Sequence, residues 1–279
     1  MIKNAMTVDV EDYFQVSAFE NIITRDDWDS YPHRVELNTH KILDMFANNN
    51  LKATFFTLGW VAERYPSIVK RIVNEGHELA SHGYHHIRVI NQTPKEFHTD
   101  ITKTKSLLEE LGGVEVKGYR AASYSINQDN LWAFSELENA GYLYSSSIYP
   151  IKHDLYGIPD APRFKYHPND QSGILEVPVS TLKLLGKTYP CGGGGFFRFY
   201  PYKFSKWALN RLNNTEGQPG MFYFHPWEID PEQPRQHLAS NKAKFRHYLN
   251  LGKMQSRLEM LMNDFDWHRM DEVFLLPET

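Results

Sequence analysis

The feature that most constrains the fold of this chain is an alternation of two patterns. Short runs rich in β-branched and aromatic residues recur along it, and longer segments with helical periodicity separate most of them. The runs are Ala5 to Val10, Ala53 to Leu58, His77 to Ala80, Val116 to Tyr119, Leu143 to Ser146, Ile174 to Val179 and Met221 to His225. Strand, helix and strand in succession predict a parallel α/β sheet, and about seven strands predict a closed or nearly closed β/α barrel. The clearest helix starts at Thr93-Pro94-Lys95-Glu96, where Thr93 can cap, Pro94 suits the first turn and Glu96 can close a capping box. Phe97, Ile101, Leu108 and Leu111 share one face of it, and Gly112-Gly113 ends it.

From Ser147 to Gly195 the pattern degrades into loops, and from Gln236 to Phe265 it becomes one or two helices. With no repeat, low-complexity tract or linker, the chain reads as a single domain, 1–279, with 231–279 as a helical C-terminal extension. At 279 residues, 41% hydrophobic, it can bury a full core. The net charge is −4, with Lys and Arg scattered, so no nucleic-acid or anionic-membrane partner is expected. No apolar segment is long enough to span a bilayer, and the N-terminus lacks the marks of a secretory signal, so the simplest location is the cytoplasm. The single cysteine, Cys191, excludes an intramolecular disulfide and a thiolate metal cluster.

Four polar segments interrupt this pattern at or just after strand ends, where barrel active sites are built: Thr7-Val8-Asp9-Val10-Glu11-Asp12, Ser81 to His86, Gly118-Tyr119-Arg120 and Phe224-His225-Pro226-Trp227. Strand alternation places Asp9 and Glu11 on one side, two carboxylates that need a partner or a cation if buried. His82 and His86 lie four apart, within chelating reach, although such a pair alone also fits surface or core histidines. Arg120 can hold a carboxylate bidentately or serve a structural ion pair. His225, between an aromatic strand and Pro226-Trp227, reads as an enclosed rim histidine suited to acid–base work or to a satisfied core position.

In this order, the motifs resemble those of the polysaccharide deacetylase family, the NodB-homology or carbohydrate esterase family 4 group. Thr7 to Phe14, Ala53 to Phe56, Gly76 to His86, Gly118 to Ala122 and Phe224 to Glu228 are similar to the branch associated with exopolysaccharide and capsule gene clusters. The resemblance implies a distorted (β/α)7 barrel holding one divalent metal, usually zinc, through His82, His86 and a carboxylate. Glu11 and Asp12 are both candidates for that carboxylate, and Glu11 shares a strand face with Asp9. Asp9 matches the catalytic base, Arg120 the residue that holds it, and His225 the catalytic acid. The implied reaction is hydrolysis of an N-acetyl group on a glycan, with backbone N–H groups near Ala121 and Ala122 available to the oxyanion.

One departure stands out. Relatives often carry an Asp supporting the catalytic histidine where this chain has Ser145, which predicts a His225 that loses its proton at lower pH unless Asp154, Glu228 or Asp230 substitutes. The run Gly192 to Gly195 lacks the Lys-Ser/Thr of a nucleotide loop and reads as a flexible wall of the site, with Tyr124, Arg198 and Trp227 as candidate sugar contacts. Two other functions fit the same residues: a metal-dependent hydrolase of small amides or ureides, and a glycan-binding module without catalysis. Oligomeric state is not legible.

Overall fold

The structure, a computed structural model, describes residues 2–154, 156–168 and 173–276. Ten strands occur among them: β1 Lys3–Val10, β2 Thr54–Thr57, β3 Glu78–Ser81, β4 Gly118–Tyr119, β5 Tyr144–Ser145, β6 Leu175–Glu176, β7 Thr181–Leu184, β8 Lys187–Pro190, β9 Met221–Phe224 and β10 Asp266–His268. The helices are α1 Val35–Asn48, α2 Gly59–Arg64, α3 Pro66–Asn74, α4 Pro94–Gly112, α5 Ala133–Asn139, α6 Gly194–Phe199, α7 Tyr202–Asn214, α8 Asn241–Tyr248 and α9 Leu251–Asp264.

Eight strands form one parallel sheet, seven of them in the spatial order β9-β1-β2-β3-β4-β5-β6. It is a distorted (β/α)7 barrel, and all seven expected strands are in it. The register sets Val10 beside Thr57, Thr57 beside Ser81 and Ser81 beside Tyr119. Parallel strands in that register bring their C-terminal ends to one rim. β1 runs through the middle and is buried from Asn4 to Val10, because strands cover both its edges and side chains cover both its faces.

α4 begins as its sequence predicts. Thr93 Oγ1 accepts the Glu96 N–H, Glu96 Oε2 accepts the Thr93 N–H at 2.8 Å, and Gly113 closes the helix with φ of 66°. Phe97, Ile101 and Leu108 are its buried face.

Three features depart from the expectation. The segment after Ser147 is not uniformly loop: it contributes the antiparallel hairpin β7–β8 and the short helix α6. The C-terminal extension is not purely helical, because β10 pairs with the first half of β1, in line with β2 on its second half. β4, β5 and β6 are two residues each, shorter than their apolar runs. Residues after 146 thus supply three strands to the sheet that the N-terminal half begins.

Candidate active site

At the C-terminal rim, Asp9 is buried near the end of β1, and Arg120, fully buried just past β4, donates to its Oδ1 at 2.5 Å. The guanidinium is otherwise saturated by Thr7 Oγ1 at 2.9 Å, the Ser146 carbonyl at 3.2 Å and Ser146 Oγ at 3.0 Å, while its Cζ lies 3.9 Å from the Phe56 ring centroid. Arg120 is therefore immobile, and it leaves Asp9 Oδ2 directed at the site.

Glu11 follows β1, where its N–H bonds back to the Asp9 carbonyl at 3.0 Å and turns the chain. Its carboxylate meets His82 and His86, and one ligand atom from each of the three lies within 4.8 Å of the others. His86 Nε2 is 3.0 Å from Glu11 Oε2, a buried oxygen without a hydrogen-bond donor. His82 Nδ1 lies 2.8 Å from the Arg120 carbonyl; donating there fixes the tautomer and leaves Nε2 for a cation. Burial, with His86 adding to it, pushes His82 down to about 4, so its ring is neutral at neutral pH, the form that ligates. Burial pushes Glu11 up, but His86, His225 and His82 outweigh it and hold the carboxylate at about 2. Two imidazoles and a carboxylate with converging lone pairs fit a divalent cation.

Asp12 does not join them. Its Oδ2 accepts the N–H groups of Arg34 at 2.6 Å and Val35 at 2.9 Å, and its Oδ1 accepts the Tyr13 N–H at 2.9 Å. It satisfies the orphan donors at the start of α1, so of the two candidate carboxylates Glu11 faces the histidines and Asp12 is a structural cap.

His225 ends β9 with Nε2 facing Glu11 Oε1 at 3.5 Å and Asp9 Oδ2 at 3.9 Å, distances longer than hydrogen bonds. Its Nδ1 lies 2.8 Å from Glu228 Oε1. Glu228, fully buried, is held in turn by Arg198 Nε at 2.6 Å. Burial opposes a charged His225, yet Glu11, Glu228 and Asp9 more than offset it and lift the ring to about 9. Of the three acids that could stand in for an Asp at position 145, Glu228 is the one that reaches His225. Ser145 bonds Ser147 Oγ at 2.8 Å, Asp154 pairs with Lys242 and Arg246, Asp230 pairs with Arg34, and Glu228 serves His225. A sequence signal for this existed: Glu228 stands three residues after His225 with Pro226 between, which is capping-box spacing, and the His225 N–H does donate to Glu228 Oε1 at 3.1 Å.

Two of the expected sugar contacts are internal instead. Arg198 is fully buried and donates to the carbonyls of Arg246, His247 and Leu249 as well as to Glu228, so no group remains for a ligand. Trp227 is sandwiched between the rings of His225 and His247, at 5.1 and 4.1 Å, and its Nε1 donates to Glu11 Oε1 at 3.3 Å. It orients the Glu11 carboxylate rather than stacking on a pyranose. Tyr124 is buried against Tyr149 and Tyr223 and keeps its Oη without a hydrogen-bond partner. The Ala121 N–H, expected at an oxyanion, is already donated to Ser147 Oγ at 2.9 Å.

Gly192, Gly193 and Gly194 of the glycine run are packed against their surroundings, while Gly195 is exposed. A Cβ on Gly193 would meet the Tyr223 ring at 2.5 Å, and one on Gly194 would meet Glu228 Oε1 at 2.2 Å. Only glycine lets α6 approach closely enough for Arg198 to reach Glu228.

The fold and this rim define a β/α-barrel protein with a two-histidine, one-carboxylate chelate set beside an anchored Asp and a carboxylate-backed His. Residues 21–142 match the polysaccharide deacetylase family, and residues 146–275 match a domain of unknown function, DUF3473. A peptidoglycan-N-acetylglucosamine deacetylase of Bacillus cereus is 43% identical over 96 residues, which cover 34% of this chain and 35% of that protein. Among solved structures, the PuuE allantoinase has a TM-score of 0.60 at 16% identity, covering 98% of this chain and 88% of the other. A Mycobacterium smegmatis protein provisionally assigned as a polysaccharide deacetylase has a TM-score of 0.59 at 18% identity with the same coverage. The chain is thus similar to the polysaccharide deacetylase family over residues 21–142. Its match spans about a third of the Bacillus cereus relative's length.

Proposed function

We propose that this protein is a metal-dependent N-deacetylase of N-acetylated glycans, with Glu11, His82 and His86 as metal ligands. The observation that carries the reading is convergence: the chelate set, Asp9 Oδ2 and His225 Nε2 face one space from the ends of β1, β3 and β9. A divalent cation held there would polarise an amide carbonyl and make an adjacent water more acidic.

The chain's own groups supply the proton transfers. Asp9, anchored through Oδ1, accepts a proton at Oδ2 from the water that attacks the acetyl carbon. His225, with Nδ1 directed at Glu228, delivers a proton from Nε2 to the departing sugar nitrogen as the C–N bond breaks. Acetate and a free amine result. Trp227 keeps Glu11 in place, and Tyr124 offers its Oη as a donor to the substrate. The Bacillus cereus relative is named for deacetylation of N-acetylglucosamine in peptidoglycan, which supports an N-acetylhexosamine unit as substrate.

Acetate release from N-acetylated oligosaccharides, with and without chelator, tests the reading. Chelator-sensitive release is expected. Turnover of ureides or small amides alone would favour the small-amide hydrolase, and glycan binding without acetate release would favour a non-catalytic module.

A further inference from the structure

Between Glu176 and Glu216 the chain has no acidic residue, yet it carries Lys183, Lys187, Arg198, Lys203, Lys206 and Arg211. The overall charge of −4 hides this local concentration. Arg198 is consumed inside the site, and Lys206 pairs with Asp264, which reaches α7 from α9. Lys183, Lys187 and Lys203 are exposed. The flanking acids do not offset them, because Glu176 is buried and Glu216 pairs with Arg163 at 2.7 Å.

The β7–β8 hairpin turns on two residues, Leu185 and Gly186, with φ of 50° and 75°. A type I′ turn of this kind favours Asn at its first position, where a left-handed backbone penalises most side chains. Leu185 occupies that position and is 94% exposed. Neither the turn nor water favours a leucine there, so folding does not account for it. Lys183 and Lys187 flank it on the two strands. α7 packs on β7, and along α6 and α7 an aromatic ladder continues the surface: Phe199 to Tyr200 at 5.4 Å, Tyr200 to Phe204 at 4.7 Å and Phe204 to Trp207 at 5.7 Å. Phe199 and Trp207 are 55% and 43% exposed. At the other end of α6, Phe196 packs against the cluster holding Tyr124 and Tyr223, so the ladder starts at the rim of the site.

We infer that the β7–β8 tip and the exposed face of α6 and α7 form a docking surface for a bilayer with anionic head groups. A protruding leucine with lysines set back on either side, beside Phe, Tyr and Trp, matches the depth profile of a membrane interface: apolar at the tip, aromatic at the boundary, basic at the head groups. An acidic glycan would pair with the lysines but give Leu185 no partner. A second copy burying Leu185 would bring these lysines together. No described helix is long and apolar enough to cross a membrane, so the association inferred is peripheral.

The test is cosedimentation of the whole protein with vesicles of phosphatidylcholine alone or mixed equally with phosphatidylglycerol, at low and high salt. Binding is expected to the mixed vesicles and to fall at high salt. Leu185→Asn should weaken it about tenfold, and Lys183→Glu and Lys187→Glu about fivefold each. Because Asn suits the turn, Leu185→Asn should keep or raise the melting temperature, so weaker binding cannot be put down to misfolding. Absence of binding to mixed vesicles, or binding that all three substitutions leave unchanged, overturns the inference. So does dimerisation or acidic-polysaccharide binding that Leu185→Asn abolishes while vesicles remain unbound. No arm measures turnover, so the outcome is independent of the hydrolase reading.

Discussion

Glu228 Oε1 lies 2.8 Å from His225 Nδ1, and the buried Arg198 fixes the other Glu228 oxygen at 2.6 Å. The order Arg198, Glu228, His225 runs from α6 to the reacting face of the imidazole. All three residues belong to the region that matches a domain of unknown function. That region completes the candidate site: it supplies the proposed acid, the carboxylate behind it and, through Trp227, a hydrogen bond to Glu11, the proposed metal ligand.

Glu228→Gln should therefore lower turnover about a hundredfold or more while bound metal and KM change little, because the amide can stabilise the wrong imidazole tautomer. Removing its charge also removes one cause of the raised His225, so the alkaline limb of the rate profile should move to lower pH. Ser145→Asp, by contrast, should leave that limb where it is. Steady-state kinetics across pH, with metal analysis of each variant, checks both statements.

The adjacent acids Glu11 and Asp12 should separate cleanly. Glu11→Ala, His82→Ala and His86→Ala are each expected to empty the metal site. Asp12→Ala should keep the metal and lose about 1–2 kcal/mol of stability, since it strands the N–H groups of Arg34 and Val35. Metal loss in Asp12→Ala with full occupancy in Glu11→Ala would reverse the assignment.

Asp9→Asn should bind metal and turn over about a hundredfold or more slowly, as expected for loss of a positioned base. Arg120→Met leaves the Asp9 carboxylate buried without its cation, and roughly 3 kcal/mol or more of stability should go with it. Activity assays and denaturant melts distinguish the chemical loss from the structural one.

Glu176 predicts a pH dependence away from the metal ligands. Burial lifts it from the usual 4.5 to about 7, against the pull of its bonds from Ser145 and the Ile148 and Ser147 N–H groups. The folded state then holds this proton more tightly than the unfolded chain. Its contribution is therefore complete below about 4.5, declines as pH rises and is lost above about 7, a change of order 3 kcal/mol. Glu176→Gln, neutral throughout, should flatten this slope in denaturant melts and be more stable than the parent above neutral pH. An unchanged slope would mean that Glu176 is ionised across this range.

What the sequence by itself determined is whatever depends on neighbours along the chain. The strand runs, the Thr93–Glu96 cap and the four-residue spacing of His82 and His86 are local patterns, and each reappears in the structure. Asp9 and Glu11 do face a common side, as alternation led one to expect, but the turn after Val10 and not the strand puts Glu11 there. β10 and the β7–β8 hairpin were illegible because they are three or four residues long and polar or charged residues interrupt them, so no apolar run marks them off from loop. Tertiary structure alone decided the fates of Glu11 and Asp12, which differ by one position: the turn after Val10 sends one carboxylate to the histidines and the other to the start of α1. It alone decided that Arg198 and Trp227 face inward and that the glycines at 193 and 194 are close contacts rather than slack. It also decided that the acid behind His225 is Glu228 rather than a residue at 145. Burial and charge pairing are properties of the assembled rim, set by residues far apart in the chain, and no local pattern encodes them.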